Sequence, residues 1–565
     1  MRRYKKYFVR IIRLLLMTVL AAGIVKWTRT DHEALPVQDG RPELSVWISD
    51  NLCVKWWKNE ADDTYCIFLP GAVRDRKMRL TFGGIPYAFI DGRKVASGSR
   101  YCLSQGTHSL KIGEDDSTVC TLSVWHTSDI PVLFIQTRSG STQEIHSSKL
   151  LSEPGKIMIM DSRGRSYFEG NLDEIHCRGN SSFDKTDKKS YTIKLQDKTD
   201  LFEMGAARKW ILTANAFDDT LVRNAAAFSI AELLSLPYTP KFQHVDVYIN
   251  GDFTGNYLLT EKVEVGKNRV NIRNLEKEVE SLNEDANLKD TEFFMEPQGR
   301  LFSTKGYRIP AEPDDISGGY LLELETSDRY GLEASGFLTS RMQPVVFASP
   351  KYASYDQVSY IAGLYQDFED AVFSADGHSP YTGKAYHEYI DMDSFARKYL
   401  LEELVKNLDA SFTSQYIYKY DDRISSRFYA GPCWDYDKSI AASGITEDGI
   451  DLNDPDGLYA AVQEKDSDIW YALYQHEDFR KTAAAIFFEE LEPGLREDFA
   501  EMISGYSERI HDSSDCNMIR WNTFPQAGTI AEKRILYSGK MLELASFIDR
   551  RLDFLAGEWE VLRDD

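Results

Sequence analysis

Three aspartates late in the chain carry the strongest chemical signal. Asn407-Leu408-Asp409 closes a stretch with helical spacing over residues 392–406, and the run Tyr416, Ile417, Tyr418 predicts a strand directly after it. Phe428 to Ala430 predict a second strand, and Gly431-Pro432-Cys433-Trp434-Asp435-Tyr436-Asp437 follows it. One acid before the first strand and two after the second bring three carboxylates to one end of a sheet. Carboxylate oxygens suit a hard divalent cation, while a separate carboxylate can orient an attacking hydroxyl. Together these are the parts that a Mg2+-bound nucleotide requires. The same residues would also serve as a turn former and helix caps.

Phosphates need a cation as well. Lys188-Lys189 opens a run in which Tyr191, Ile193 and Leu195 alternate with Thr192 and Lys194, and by parity Lys189 shares the apolar side. A lysine aimed inward needs a carboxylate. Glu232 lies eleven residues after Leu221, about 1100° of helical rotation at ~100° per residue, which returns it to the line of Leu221, Ala225 and Phe228. Lys189 and Glu232 are therefore expected to pair, with Glu261 as a rival to Glu232.

The elements around these residues divide the chain. Residues 44–130 break into short β-branched and aromatic runs between turn signals such as Asp91-Gly92, which predicts a small β-sandwich serving as a spacer or binding module. Residues 131–276 read as strands with one helix over 219–236 and a hairpin at Asn250-Gly251. Residues 277–317 are acidic and punctuated by Pro and Gly, which predicts an irregular inserted loop. From 318 to 565 helical spacing dominates, around 355–374, 392–407, 477–504 and 530–557. The fold class expected is α+β, a sheet-rich lobe followed by a helix-rich lobe, preceded by an all-β domain.

Composition excludes several classes. The chain has 565 residues, of which 42% are hydrophobic and 27% charged, an ordinary globular balance. Its formal charge is −23, and residues 1–30 hold eight Lys or Arg and no acid, leaving an acidic body on which nucleic-acid binding is not expected. Those thirty residues are a basic stretch followed by an uncharged one from Leu14 to Val25, the order of an export signal or single membrane anchor, and 31–43 read as a linker. The body is accordingly expected outside the cytoplasm. No CxxC, zinc-type Cys/His spacing, GxSxG, HExxH or Gly-rich phosphate loop occurs.

The motifs in order are then recognisable. Arg178-Gly179-Asn180-Ser181-Ser182-Phe183, Lys188-Lys189-Ser190-Tyr191, Asp218-Asp219-Thr220-Leu221-Val222-Arg223-Asn224, Gly318-Gly319-Tyr320-Leu321-Leu322-Glu323, Asn407-Leu408-Asp409 and Trp434-Asp435-Tyr436-Asp437 resemble the CotH family of spore-coat-type protein kinases. The resemblance implies an atypical protein-kinase-like fold that binds ATP with Mg2+ or Mn2+ and phosphorylates Ser or Thr of a protein partner. Carried over by motif, Asp409 matches the catalytic aspartate, Asp435 the metal-binding aspartate and Asp437 its accessory. Lys189 is taken as the phosphate-contacting lysine, with Lys188 and Lys194 in the same motif. Arg178 and Arg223 match motif positions near the nucleotide. Two departures stand out: Ser414 occupies the place where many relatives carry a metal-binding Asn, and the Gly that usually follows the last acids closely comes only at Gly444. They leave room for an alternative, a weak or inactive kinase-like scaffold acting as a surface adhesion protein.

Overall fold

In the computed structural model the described residues are 44–563, except 60–63, 84, 113–118, 443–448, 450 and 464–465. The export or anchor segment and the linker read from residues 1–43 lie outside them. Among the described residues no helix is long and apolar enough to cross a membrane.

The described chain is α+β and begins with an all-β region. Four strands pair in the order Cys53–Lys55, Leu44–Trp47, Met78–Phe82, Arg100–Tyr101. Six more pair in the order Trp57–Asn59, Thr64–Leu69, Val119–His126, Gly106–Ile112, Tyr87–Ile90, Arg93–Ala96. Alternation decides what is buried: Leu44, Val46, Leu80 and Phe82 point inward while Ser45 and Thr81 do not. Asp91 and Gly92 both take positive φ, 49° and 74°, as the two-residue hairpin between Tyr87–Ile90 and Arg93–Ala96 requires. The region is no loose spacer. Val132, Phe134, Tyr248 and Phe253 of the next unit complete its core, and the Tyr248 hydroxyl donates to the Phe68 carbonyl at 3.0 Å.

That next unit is a closed seven-stranded barrel. Its strands are β1 (Val132–Thr137), β2 (Glu153–Met160), β3 (Ser166–Arg178), β4 (Ser190–Thr199), β5 (Ala207–Thr213), β6 (Phe242–Ile249) and β7 (Asp252–Glu261), in the order β1-β2-β3-β4-β5-β7-β6. Parallel pairing of β1 with β6 closes it. Leu133, Ile157, Ile175, Ile193, Leu212, Val245 and Leu259 fill the interior. Helix α1 (Arg223–Leu233) connects β5 to β6 and buries its alanine-rich face in the main core.

A second seven-stranded sheet follows: β8 (Glu292–Gln298), β9 (Leu301–Arg308), β10 (Tyr320–Leu324), β11 (Gly336–Leu338), β12 (Pro344–Ser349), β13 (Gln415–Lys419) and β14 (Phe428–Ala430), ordered β8-β9-β11-β12-β10-β13-β14. The stretch expected to be an irregular insert thus holds a helix, Leu275–Leu282, and the β8/β9 hairpin. Its alternation was hidden because β8 is an edge strand: only Phe294 is buried there, and Glu292, Phe293 and Met295 are exposed. Helices α2 (Tyr355–Val372), α3 (Met392–Val405), α4 (Glu492–Arg520) and α5 (Ile530–Trp559) supply most of the remaining core. The helix expected over 477–504 is divided: Glu477–Ile486 passes through a wide turn, Phe487–Leu491, before α4, where Pro493 has no N–H to donate.

Candidate active site

Two loops hold the three aspartates, and backbone hydrogen bonds join the loops. Helix α3 stops where Lys406 turns left-handed, φ 45°, which directs Asn407, Leu408 and Asp409 away from the helix axis. β13 and β14 are antiparallel with Ile417 opposite Ala430, so the chain entering β13 and the chain leaving β14 share one end of the sheet. There the Leu408 amide donates to the Lys438 carbonyl at 3.2 Å and the Ile440 amide to the Val405 carbonyl at 2.8 Å. Asp435 itself is left-handed, φ 67°, a conformation that persists in a non-glycine residue only when its surroundings impose it.

Those surroundings are a buried polar network. Lys398 pairs with Glu402 one turn along α3 and also donates to the Tyr436 hydroxyl at 2.8 Å. The Tyr436 hydroxyl donates to Glu402 at 2.6 Å, and the Asn407 amide donates to the other Glu402 oxygen at 3.0 Å. From the opposite side, Asn224 of α1 accepts the Tyr436 backbone N–H at 2.8 Å. Tyr436 thus stands fixed between Asp435 and Asp437, with Asn407 two residues before Asp409.

Electrostatics describe a site that wants positive charge. Burial pushes the Asp409 carboxyl up to about 7, and the negative charge of Asp435 adds to the rise. Asp435 is raised by burial, while Arg178, Lys438 and a hydrogen bond from Ser414 act against the rise. Asp437 is raised well above the carboxylate range by burial and then by Asp435, Asp218 and Asp409. Every donor in the cluster is oxygen, three carboxylates and a serine hydroxyl, a set that fits Mg2+ or Mn2+. Beside it, the Arg178 guanidinium lies 4.9 Å from the centre of the Trp434 ring. Burial pushes Glu323, close to Arg178 and Tyr416, up to about 8.

The structure relocates the other expected residues. Arg223 binds Asp218 at 2.5 Å and Asp219 at 2.7 Å, and donates to the carbonyls of Ile440 at 3.1 Å and Ala441 at 3.4 Å. It braces the segment that follows the acids, with its guanidinium already engaged. Lys189 does face the barrel side as parity required, but it does not meet Glu232. Its ammonium donates to the carbonyls of Phe183 and Thr186, both at 2.5 Å, at the end of the short helix Ser181–Lys185. Glu232 is exposed near the end of α1. The phase count failed because Leu221 lies before the helix, with φ 65°, so rotation counted from it has no helical meaning. Glu261 pairs with Arg269 at 2.6 Å instead. The lysine that enters the protein is Lys188, whose ammonium donates to the carbonyls of Ala214 at 2.7 Å and Asn256 at 2.5 Å. Burial pushes it down to about 7, against the pull of Asp246 and Asp218.

Sequence reasoning passed over Asn224, Lys398, Glu402, Asn407 and Lys438. A Lys and a Glu at i, i+4 inside an otherwise apolar helix were the available sign of the network. A cleft of about 840 Å³ lined by Phe228, Tyr238, Lys241, Phe242 and Tyr506 is roomier than any space at the aspartates, yet it has none of them in its wall.

A family model described as CotH kinase protein matches residues 175–555. The chain belongs to the CotH kinase protein family. The CotH match begins in β3, just before Arg178, and ends in α5, so it takes in the whole aspartate cluster and leaves out the N-terminal β-region. None of the curated proteins matches the chain.

Proposed function

We propose that this CotH chain is a Ser/Thr protein kinase that moves the γ-phosphoryl group of ATP to a protein hydroxyl, outside the cytoplasm or on a spore or cell surface. The observation that carries the reading is the gathering of Asp409, Asp435 and Asp437, which raise one another's proton affinity at a single sheet end, beside Arg178 and Lys438. Asp435 and Asp437 would hold Mg2+ or Mn2+, with the Ser414 hydroxyl as a neutral oxygen at Asp435. When bound, the ion supplies neutralisation of charge on the phosphates.

Asp409 accepts a hydrogen bond from the acceptor hydroxyl and orients its oxygen toward the γ-phosphorus. As that oxygen bonds to phosphorus, the bond to the bridging oxygen breaks, ADP leaves with the electron pair, and the hydroxyl proton passes to Asp409 or to water. Rate comes from positioning and charge compensation, with no covalent enzyme intermediate. Arg223 acts at a distance, by bracing the loop after Asp437. The basic and apolar order of residues 1–30 supports export or anchoring.

The test is transfer of label from γ-labelled ATP by the full chain with Mg2+ or Mn2+, beside Asp409→Asn and Asp435→Asn. Label on a protein acceptor in the wild type and its loss in both variants is expected. Incorporation that survives both substitutions points to a contaminating kinase. Failure of every metal–nucleotide pair to raise the unfolding temperature would favour the scaffold reading, for which Ser414 in place of Asn is the supporting observation.

A further inference from the structure

Resting on the kinase reading, we infer that Lys438 is the phosphate-contacting lysine of this chain and, before a divalent ion binds, the counterion that holds its three aspartates together. The strand and helix cations expected in that role are engaged elsewhere. Lys189 is held by the carbonyls of Phe183 and Thr186, Arg223 by Asp218 and Asp219, and Lys188 by the carbonyls of Ala214 and Asn256. Lys438 follows Asp437 directly, and its carbonyl accepts the amide of Leu408, the residue before Asp409. Its ammonium lies 4.3 Å from the centre of the Phe217 ring, next to Asp218. The backbone bond fixes where the side chain starts, and the ring fixes where it ends. Between those points its charge acts on Asp409, Asp435 and Asp437 alike, whereas that of Arg178 acts on Asp435.

A divalent ion arriving among the carboxylates replaces the charge that Lys438 supplies. The ammonium, on a flexible four-carbon stem, is then free to follow the negative charge of the phosphates carried in with the ion. Two opposite effects result from its removal. The bare ion meets less repulsion and binds more tightly, while the ion with its nucleotide loses a charge-assisted hydrogen bond and binds more weakly.

The experiment is calorimetric titration of the full-length wild type, Lys438→Met, Lys438→Gln and Lys438→Arg with MnCl2 alone and with Mn–ATP. The Met and Gln variants are expected to bind Mn2+ several-fold more tightly and Mn–ATP about tenfold more weakly, with Arg restoring both values toward wild type. Parallel weakening of both ligands would mean that Lys438 only supports the loop and would overturn the inference, as would Mn–ATP affinity equal to wild type. A wild-type chain that binds no Mn–ATP at all would remove the kinase reading beneath it. Unfolding curves of the Gln and Arg variants check that the fold is retained.

Discussion

Replacing Lys398 by methionine separates a network that positions the aspartates from one that merely lies beneath them. Lys398 and Glu402 are 1% and 0% exposed, so neither charge has water to fall back on. In K398M the methionine fills most of the lysine stem's volume, and the Glu402 carboxylate keeps two donors, the Tyr436 hydroxyl at 2.6 Å and the Asn407 amide at 3.0 Å. Breaking a buried pair by deleting one partner costs about 3–5 kcal/mol, and the two remaining donors place the expected loss near the lower end, about 3 kcal/mol. Glu402→Gln added to K398M removes the stranded charge while keeping the acceptor for both donors. The double variant should recover at least about 1.5 kcal/mol relative to additivity. Urea unfolding followed by tryptophan fluorescence measures this cycle. Because Asn407 precedes Asp409 and Tyr436 separates Asp435 from Asp437, Mn–ATP affinity should fall in K398M and return partly in the double variant. A single variant within about 0.5 kcal/mol of wild type, or strictly additive effects, would refute the reasoning.

Asp246, enclosed between β6 and α4, has its carboxyl pushed up from 3.8 to about 6 by burial. Its contribution to stability is full below pH 3.8 and is lost as pH rises through 6. The loss amounts to about 3 kcal/mol, because each tenfold difference in proton affinity between the folded and unfolded chain is worth about 1.4 kcal/mol. The stability of wild type relative to Asp246→Asn should therefore fall by that amount between about pH 4 and pH 7 in urea unfolding, and a pH-independent difference counts against it. Arg223→Lys loses the fork that reaches two acids and two carbonyls at once; a stability loss of about 2–4 kcal/mol with weakened Mn–ATP binding is expected by the same assays. Lys189→Ala and Glu232→Ala should leave Mn–ATP affinity unchanged by calorimetry, since neither side chain faces the aspartates.

What could be read from the residues was local. The strands flanking the acids, β13 and β14, stand where the runs at 416–418 and 428–430 put them. Asn250 and Gly251 take φ of 55° and 90°, the hairpin their types demand. Their placement was enough to bring Asp409, Asp435 and Asp437 to one sheet end. What escaped depended on distant pairing or on a single backbone angle. Closure of the barrel by β1 and β6 joins segments about a hundred residues apart, and no local period announces it. One left-handed residue, Leu221, shifted the helix phase and put Glu232 on the wrong face. Lys438 escaped because its environment is assembled from Phe217, Leu408 and the acids, which lie near one another only after folding.

The most direct measurement is electron spin echo of Mn2+ bound to the full chain with ATP, read for 31P coupling. The account predicts a 31P coupling in the wild type, with the manganese carried on the protein, and its disappearance from the protein-bound signal in Asp435→Asn. An undiminished protein-bound Mn–phosphate signal in Asp435→Asn, Asp437→Asn and Asp409→Asn alike would contradict it, because the ion and nucleotide would then be held somewhere other than these three carboxylates.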